Sequence, residues 1–143
     1  MDALDRKILN IMQKNSRITV KQIAEECFIS SPSVSVRLQN LESLGYIRTY
    51  QAVLDHQKLG FLIKAYVNCA VNAKDKQDFY RYIEEIPNVV ECDCITGDYS
   101  MLLNVYYSNT IELDELINDL QRFCDTKTHI VFSTNVGPRG LQI

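Results

Sequence analysis

Beyond residue 60 the spacing of apolar residues follows the order strand, helix, strand, strand, helix, strand, which restricts the fold more than any other feature of the chain. Apolar and polar side chains alternate from Ile63 to Val71, as in a strand with one buried face. Further strands are predicted over 89–96, 99–107 and 129–136, and helices over 75–86 and about 109–123. This βαββαβ order predicts a ferredoxin-like domain, in which an antiparallel sheet carries both helices on one face.

The opposite face of the predicted sheet has no element to cover it. Tyr66, Asn68 and Ala70 of the first strand fall on this face, and they make it partly apolar. Large exposed faces of this kind usually mark sites of association. We therefore predict a homodimer that forms through the C-terminal sheet.

The first 50 residues show three helical patterns. Apolar residues recur at helical spacing from Leu4 to Ile11, and Thr19–Gln22 has the sequence of a capping box at the start of a second helix. Ser30 and Pro32 open a third helix, which ends near Gly45. A tight turn between the second and third helices predicts a helix-turn-helix, and 48–53 follow as an extended strand.

The outward face of the third helix carries hydroxyls, amides and a small apolar side chain where a solvated helix usually carries Glu and Lys. Such groups can donate to phosphates, bond base edges and contact thymine methyls. Arg37 flanks this face, and it could contact DNA or form an ion pair, for example with Glu42. The alternative for the whole unit is a structural three-helix bundle without a DNA role. The candidate DNA-binding residues are Ser31, Ser33, Ser35, Val36, Arg37, Gln39 and Asn40, with Lys21, Arg17 and Arg48 beside the phosphates.

Charge is divided unevenly along the chain, whose net charge is -3. Residues 1–60 hold eight Lys and Arg against six Asp and Glu, a balance of +2, and the other 83 residues hold seven against twelve, a balance of −5. This change and the break at Leu59-Gly60 predict a helix-turn-helix domain over 1–50, a hinge over 51–60 and a second domain over 61–143. A +2 domain binds DNA weakly as one copy, so affinity has to come from several copies in an oligomer.

Several classes of function are disfavoured by the residue pattern. The longest stretch without charge, Tyr99–Ile111, is too short and too polar to span a bilayer, and charges interrupt the first twenty residues, so we expect a cytoplasmic protein with no membrane partner. Five cysteines, an odd number lying mostly in apolar segments, favour free thiols. No nucleophile, acid and base converge in the pattern and no metal-ligand spacing occurs, so we predict neither an enzyme nor a metal or other cofactor.

Four segments in order make the chain resemble the Lrp/AsnC family, the feast/famine transcription regulators. They are Leu4–Leu9, the helix-turn-helix over Ile23–Glu42, the exit Gly45–Ile47 and the turn Thr96–Tyr99. The resemblance covers essentially the whole chain. It implies an α+β architecture with an N-terminal winged helix-turn-helix and a C-terminal domain for ligand sensing and oligomerisation.

The resemblance also implies an assembly and an effector. Family dimers form octameric rings that bend or wrap duplex DNA, which implies a nucleoid-associated protein. Amino-acid effectors of the family bind near the loop that matches Gly97, Asp98, Tyr99 and Ser100, and Ser100 stands where an acidic residue is usual. Asp98 could replace that carboxylate if it faces the same cleft. Phe28 occupies a position that is often Gly, which predicts a locally altered turn.

Two functions are consistent with these residues. The first is a DNA-binding transcriptional regulator that bends or wraps DNA with loose sequence preference. The alternative is an amino-acid-sensing module without DNA binding, which leaves the pattern of residues 1–50 unexplained.

Overall fold

The computed structural model describes residues 1–143, which divide into two compact units. One unit comprises Met1–Val53 together with Asn135–Ile143, and the other comprises Leu54–Thr134. No helix in the chain combines the length and the apolar character needed to cross a bilayer.

The N-terminal unit contains the three predicted helices, α1 (Ala3–Lys14), α2 (Val20–Cys27) and α3 (Ser31–Ser43). Capping boxes start α1 at Asp2 and α2 at Thr19, and the Ser30 hydroxyl accepts a hydrogen bond from the Ser33 N–H at the start of α3. These caps satisfy backbone donors that have no partner within the helix. The core between the helices consists of Ile8, Leu9, Ile23, Ala24, Cys27, Val34 and Leu41.

Helix α3 ends in a Schellman arrangement. Gly45 has φ +74°, the Tyr46 N–H donates to the Leu41 carbonyl at 2.9 Å, and the Gly45 N–H donates to the Glu42 carbonyl at 3.0 Å. The predicted strand over 48–53 is wrong, because this segment forms no β ladder within the chain. Extended backbone needs a neighbouring strand to become sheet, and the unit supplies none here.

The C-terminal unit contains β1 (Ile63–Cys69), a 3₁₀ turn (Ala73–Asp75), α4 (Lys76–Glu84), β2 (Val89–Cys94), β3 (Met101–Tyr107), α5 (Thr110–Leu120) and β4 (Thr126–Ile130). The strands form one antiparallel sheet in the order β2-β3-β1-β4. Both helices pack on one face, so the ferredoxin-like prediction is confirmed.

Strict alternation along β1 and β3 builds the core of this unit. Ala65, Val67 and Cys69 of β1 are buried, and so are the alternate residues of β3 from Met101 to Tyr107. Facing them are Phe79 and Ile83 of α4 and Leu113, Leu116 and Leu120 of α5.

The predicted last strand, 129–136, lies too far along the chain. In the structure β4 pairs with β1 from Cys69↔Thr126 to Ala65↔Ile130, and the Val131 N–H still donates to the Lys64 carbonyl at 2.9 Å. In this register only Ile63, the first residue of β1, remains beyond that point, so the strand cannot continue to Val136. Phe132, which the apolar pattern placed in the strand, is fully exposed.

Residues 135–143 pack within the N-terminal unit. The Asn10 side chain of α1 donates to the Ile143 carbonyl at 2.6 Å and accepts from the Ile143 N–H at 3.1 Å. Gln13, one turn further along α1, donates to the Leu141 carbonyl at 2.8 Å. Helix α1 therefore holds this segment by side-chain amides, and Leu141 stays 81% exposed.

Candidate nucleic-acid interface

The outward face of α3 presents an apolar methyl pair between amides. Val36 is 56% exposed, and Gln39 and Asn40 are exposed with no hydrogen-bond partner for their side-chain amides. Free amides at a helix surface can form paired hydrogen bonds with a base edge. Val36 and Asn40 lie along a groove of about 660 Å³ that Ser33, Pro32, Leu44 and Tyr46 also line.

The serines of α3 are less free than the amides. The Ser35 hydroxyl donates to the Ser31 carbonyl at 3.2 Å, and the hydroxyls of Ser33 and Ser30 lie 2.8 Å apart. Ser31 and Ser35 are also half-buried. Hydroxyls that are engaged with the helix start offer a nucleic acid fewer donors than the sequence alone suggests.

Arg37 is held by two carboxylates at the start of α1. Its Nη1 donates to Oδ2 of Asp2 at 2.7 Å and to Oδ1 of Asp5 at 2.6 Å. Hydrogen bonds that Arg37 donates to both carboxylates raise the pKa of Arg37 above its ordinary value, so the guanidinium is charged at every relevant pH. Nη2 and Nε have no partner in the chain, and the side chain stays 31% exposed.

This ion pair differs from the Arg37–Glu42 pair that the sequence suggested. Glu42 lies on α3 one turn beyond Arg37, but its carboxylate accepts a hydrogen bond from the Tyr50 hydroxyl at 2.6 Å. Burial, followed by that contact, raises the pKa of Tyr50 to about 12. Asp2 and Asp5 are more than thirty residues from Arg37 in the chain, and only the packing of α1 against α3 reveals the pair.

The flanking basic residues occupy separate places. Arg17 and Arg48 line a groove of about 780 Å³, which the segment 49–53 and Leu141 also line. Lys21 is exposed in the first turn of α2 and does not line this groove. None of the three makes an ion pair in the structure.

The turn between α2 and α3 keeps a left-handed residue at its centre. Phe28 has φ +58° and ψ +42°, so the expectation of an altered turn is wrong. Its ring is 90% exposed, and the Lys7 ammonium lies 5.4 Å from the ring centroid. The ring therefore points away from the core, where its bulk does not disturb the packing of the helices.

The candidate effector residues lie in and beside the β2–β3 hairpin turn. Gly97 has φ +111°, Asp98 is exposed without a partner, and Tyr99 is half-buried. The Ser100 hydroxyl is fully engaged, since it accepts from the Val71 N–H at 2.9 Å and donates towards the carbonyls of Val71 at 2.9 Å and Cys69 at 3.3 Å. Ser100 thus joins the end of β1 to the start of β3.

The cysteines are free thiols, and no three His, Cys, Asp or Glu side chains are grouped as metal ligands require. Cys92 and Cys94, one residue apart on β2, are half-buried and exposed respectively. Burial raises the pKa of the Cys69, Cys92 and Cys124 thiols, which disfavours the reactive thiolate.

Comparison with known proteins places both units in recognised families. Residues 1–48 match the winged helix-turn-helix DNA-binding model, and residues 64–140 match the Lrp/AsnC ligand binding domain. The chain is 30% identical to the transcriptional regulator LrpC of Bacillus subtilis over 133 residues, which cover 93% of this chain and 92% of LrpC. The solved structure of B. subtilis LrpC superposes with a TM-score of 0.91 at 29% identity, over 96% of this chain and 99% of that one.

A more distant likeness shares the fold. The feast or famine regulatory protein from M. tuberculosis, solved in complex with L-methionine, superposes with a TM-score of 0.93 at 23% identity over 99% of both chains. Together the family models and the similarity to LrpC over nearly the whole length show that this chain belongs to the Lrp/AsnC family of helix-turn-helix transcriptional regulators.

Proposed function

We propose that the chain binds duplex DNA through the outward face of α3, with residues 1–50 as the DNA-binding domain, 51–60 as the hinge and 61–143 as the sensing and oligomerising domain. One observation carries the proposal. Gln39 and Asn40 present free amides beside an exposed Val36 on α3, whose first turn is capped by Ser30. The contacting set is Ser31, Ser33, Ser35, Val36, Arg37, Gln39 and Asn40, with Lys21, Arg17 and Arg48 towards the phosphates.

Arg37 contributes as a pre-positioned cation. Asp2 and Asp5 fix Nη1, while Nη2 and Nε remain free to donate to a phosphate or a guanine. The two carboxylates reduce the local positive charge. They also order the Arg37 side chain before DNA binds, so less side-chain entropy is lost on binding than for a free arginine. Arg37 therefore attracts a phosphate less strongly than an unpaired arginine does, but its guanidinium has a more fixed geometry.

Affinity comes from several copies acting together. The N-terminal 60 residues carry a charge of only +2, too little for strong phosphate binding by one copy. We assign dimerisation to the uncovered face of the C-terminal sheet, and further assembly, as an octamer, presents many α3 helices to one DNA. An assembly of this kind bends or wraps DNA with loose sequence preference and associates with the nucleoid.

The effector is a small molecule, and we propose an amino acid. The match to the Lrp/AsnC ligand binding domain supports a ligand, and the M. tuberculosis protein of the same fold was solved with L-methionine. Ser100 cannot pair with an ammonium group because its hydroxyl is engaged with the backbone. Asp98, which is exposed and unpaired in the same turn, is the carboxylate left for that role.

Fluorescence anisotropy with a random and a curved A-tract duplex, each several helical turns long, tests the DNA proposal. We expect binding that falls steeply with salt and favours the curved duplex. Asn40→Ala should weaken binding about tenfold, whereas Gln77→Ala, which removes an exposed amide from α4, should not change it. Failure to bind either duplex at low salt would leave the amino-acid-sensing module as the function.

A further inference from the structure

The chain crosses between its two compact units twice. It leaves the N-terminal unit after Val53 and returns to that unit at Asn135. A body that is attached at one point can rotate about that point in every direction, whereas a second attachment leaves only rotation about the line that joins the two points. The second crossing therefore limits how freely the N-terminal unit can turn.

The first crossing is loosely held. The backbone of residues 48–54 makes no hydrogen bond, and Val53 and Leu54 are 83% and 57% exposed. Backbone hydrogen bonds resume beyond this stretch, as between the Phe61 N–H and the His56 carbonyl at 2.9 Å. Segments with few backbone bonds and little buried apolar surface open at a low cost in free energy. The first crossing alone therefore leaves the N-terminal unit free to rotate.

The second crossing ends in specific contacts with α1. Residues 135–143 are here called the return segment. Asn10 bonds both the N–H and the carbonyl of Ile143, and Gln13 bonds the carbonyl of Leu141, at distances of 2.6 to 3.1 Å. These bonds are made to main-chain atoms of alternate residues, so they fix the position of the backbone of the return segment on α1.

Gly140 shows that the segment fits closely against α1. A Cβ on this residue would overlap Oε1 of Gln13 and would lie 2.8 Å from the Gln13 Cβ. A larger residue at this position therefore displaces either the Gln13 side chain or the return segment. Gly137 lies in the same segment, but a Cβ there would have no atom within 4 Å. The need for glycine is thus confined to the position that contacts α1.

The contacts that hold the return segment are also easily broken. All three hydrogen bonds lie at the exposed surface, and Leu141 is 81% exposed. An exposed hydrogen bond adds little net stability, because water replaces it when the groups separate. The return segment can therefore detach while α1 and the core beneath it stay folded.

We propose that the return segment is a releasable latch, and that its docking on Asn10 and Gln13 restrains the N-terminal unit and so maintains a preference for curved DNA. With the latch docked, the α3 helices of several copies keep fixed directions and fit one DNA curvature best. With the latch released, each N-terminal unit turns about the first crossing and fits a straight duplex equally well. This inference rests on the proposed DNA binding by several copies, and it adds the device that maintains shape selectivity.

Two variants of the full-length protein open the latch from opposite sides, Asn10→Ala on α1 and Gly140→Ala on the return segment. Hydrogen exchange of the Ile143 amide, followed by NMR, should be several-fold faster in both. Fluorescence anisotropy then gives the ratio of affinities for the curved A-tract and the random duplex, and we expect this ratio to fall by about threefold or more. The dependence of log K on log salt should stay unchanged, because the same side chains contact phosphates. Gly137→Ala is the matched control and should change none of these quantities.

The outcomes separate the latch from the function on which it rests. Faster exchange at Ile143 with an unchanged ratio overturns the latch, because the segment then detaches without any effect on shape selection. An equal loss of affinity for both duplexes also overturns it, since that result indicates damage to the DNA-binding unit. Wild-type binding with no preference for the curved duplex overturns the latch and retains DNA binding, whereas failure to bind either duplex overturns both.

Discussion

The side chain that caps α1 also links the start of the chain to the candidate DNA-binding helix. Asp2 caps α1 and accepts a hydrogen bond from Arg37 of α3. The backbone N–H of Asp5, and after it Arg37, hold the pKa of the Asp2 carboxyl below its ordinary value. The carboxylate that caps α1 and pairs with Arg37 is therefore ionised at neutral pH.

We expect Asp2→Asn to lower the Tm by a few degrees at neutral pH, because it removes the negative charge at the start of α1 and weakens one of the two bonds to Arg37. A carboxylate with a lowered pKa in the folded state stabilises above its ordinary pKa, and this contribution is lost as the pH falls through the folded value. The difference from wild type should thus persist at pH 5 and shrink below about pH 4. Equal melting curves at pH 7 would contradict the prediction. Asp78→Asn, in an exposed pair with Arg81, is the control and should change little.

Ser100 offers a second test at this scale, because its hydroxyl bonds both the N–H and the carbonyl of Val71. Ser100→Ala leaves these partly buried backbone groups without that partner, and we expect a loss of about 1–3 kcal/mol in the free energy of unfolding. Urea denaturation measures it, with Ser108→Ala, an exposed hydroxyl without a hydrogen bond, as the control. Unchanged stability would return Ser100 to the list of residues free to contact an effector.

At the scale of helices and strands, local signals determined what could be predicted. The caps at Asp2, Thr19 and Ser30 act within a few residues of the helix they start, and the sequence shows them directly. The limits of β4 depend on where β1 begins, more than 60 residues earlier in the chain, so the apolar run to Val136 predicted the wrong strand.

In the candidate site, too, some features follow from local sequence and others depend on tertiary packing. The exposed amides of Gln39 and Asn40 follow from helical periodicity, whereas the partners of Arg37 depend on how α1 crosses α3. Phe28 shows the limit of a local rule. A left-handed conformation costs a residue with a Cβ about 1–2 kcal/mol, and tertiary packing of the two helices imposes it here.

The segment 135–143 provides a prediction at the scale of an element, since α1 holds it through Asn10 and Gln13. Asn10→Ala removes both bonds to Ile143, and the segment should detach more often because little apolar surface is buried there. Trypsin should then cleave after Arg139 several-fold faster than in wild type, as mass spectrometry of timed digests would show. Asn118→Ala, which removes an exposed amide from α5, should leave the rate unchanged, and equal rates in all three proteins would disprove the docking.

On the scale of the whole molecule, a weakly charged DNA-binding unit is combined with a sheet that has one uncovered face. The low charge makes one copy a poor DNA ligand, and the proposed dimerisation through the sheet would join two copies. Loss of dimerisation should therefore reduce DNA affinity even when α3 is unaltered. Avidity predicts a large effect on a long duplex and a small effect on one too short for two α3 helices.

Leu102→Asp tests this coupling between dimerisation and DNA binding, because Leu102 alternates with the buried residues of β3 and so lies on the sheet face away from α4 and α5. We expect it to weaken binding to a duplex of several helical turns at least tenfold, and to flatten the dependence of log K on log salt, because fewer phosphates are contacted per protein bound. Gln77→Glu changes the net charge by the same amount on the exposed surface of α4, and it corrects for general repulsion from DNA. If Leu102→Asp is monomeric by analytical ultracentrifugation and still binds the long duplex as wild type does, the sheet dimer is not the unit that binds DNA.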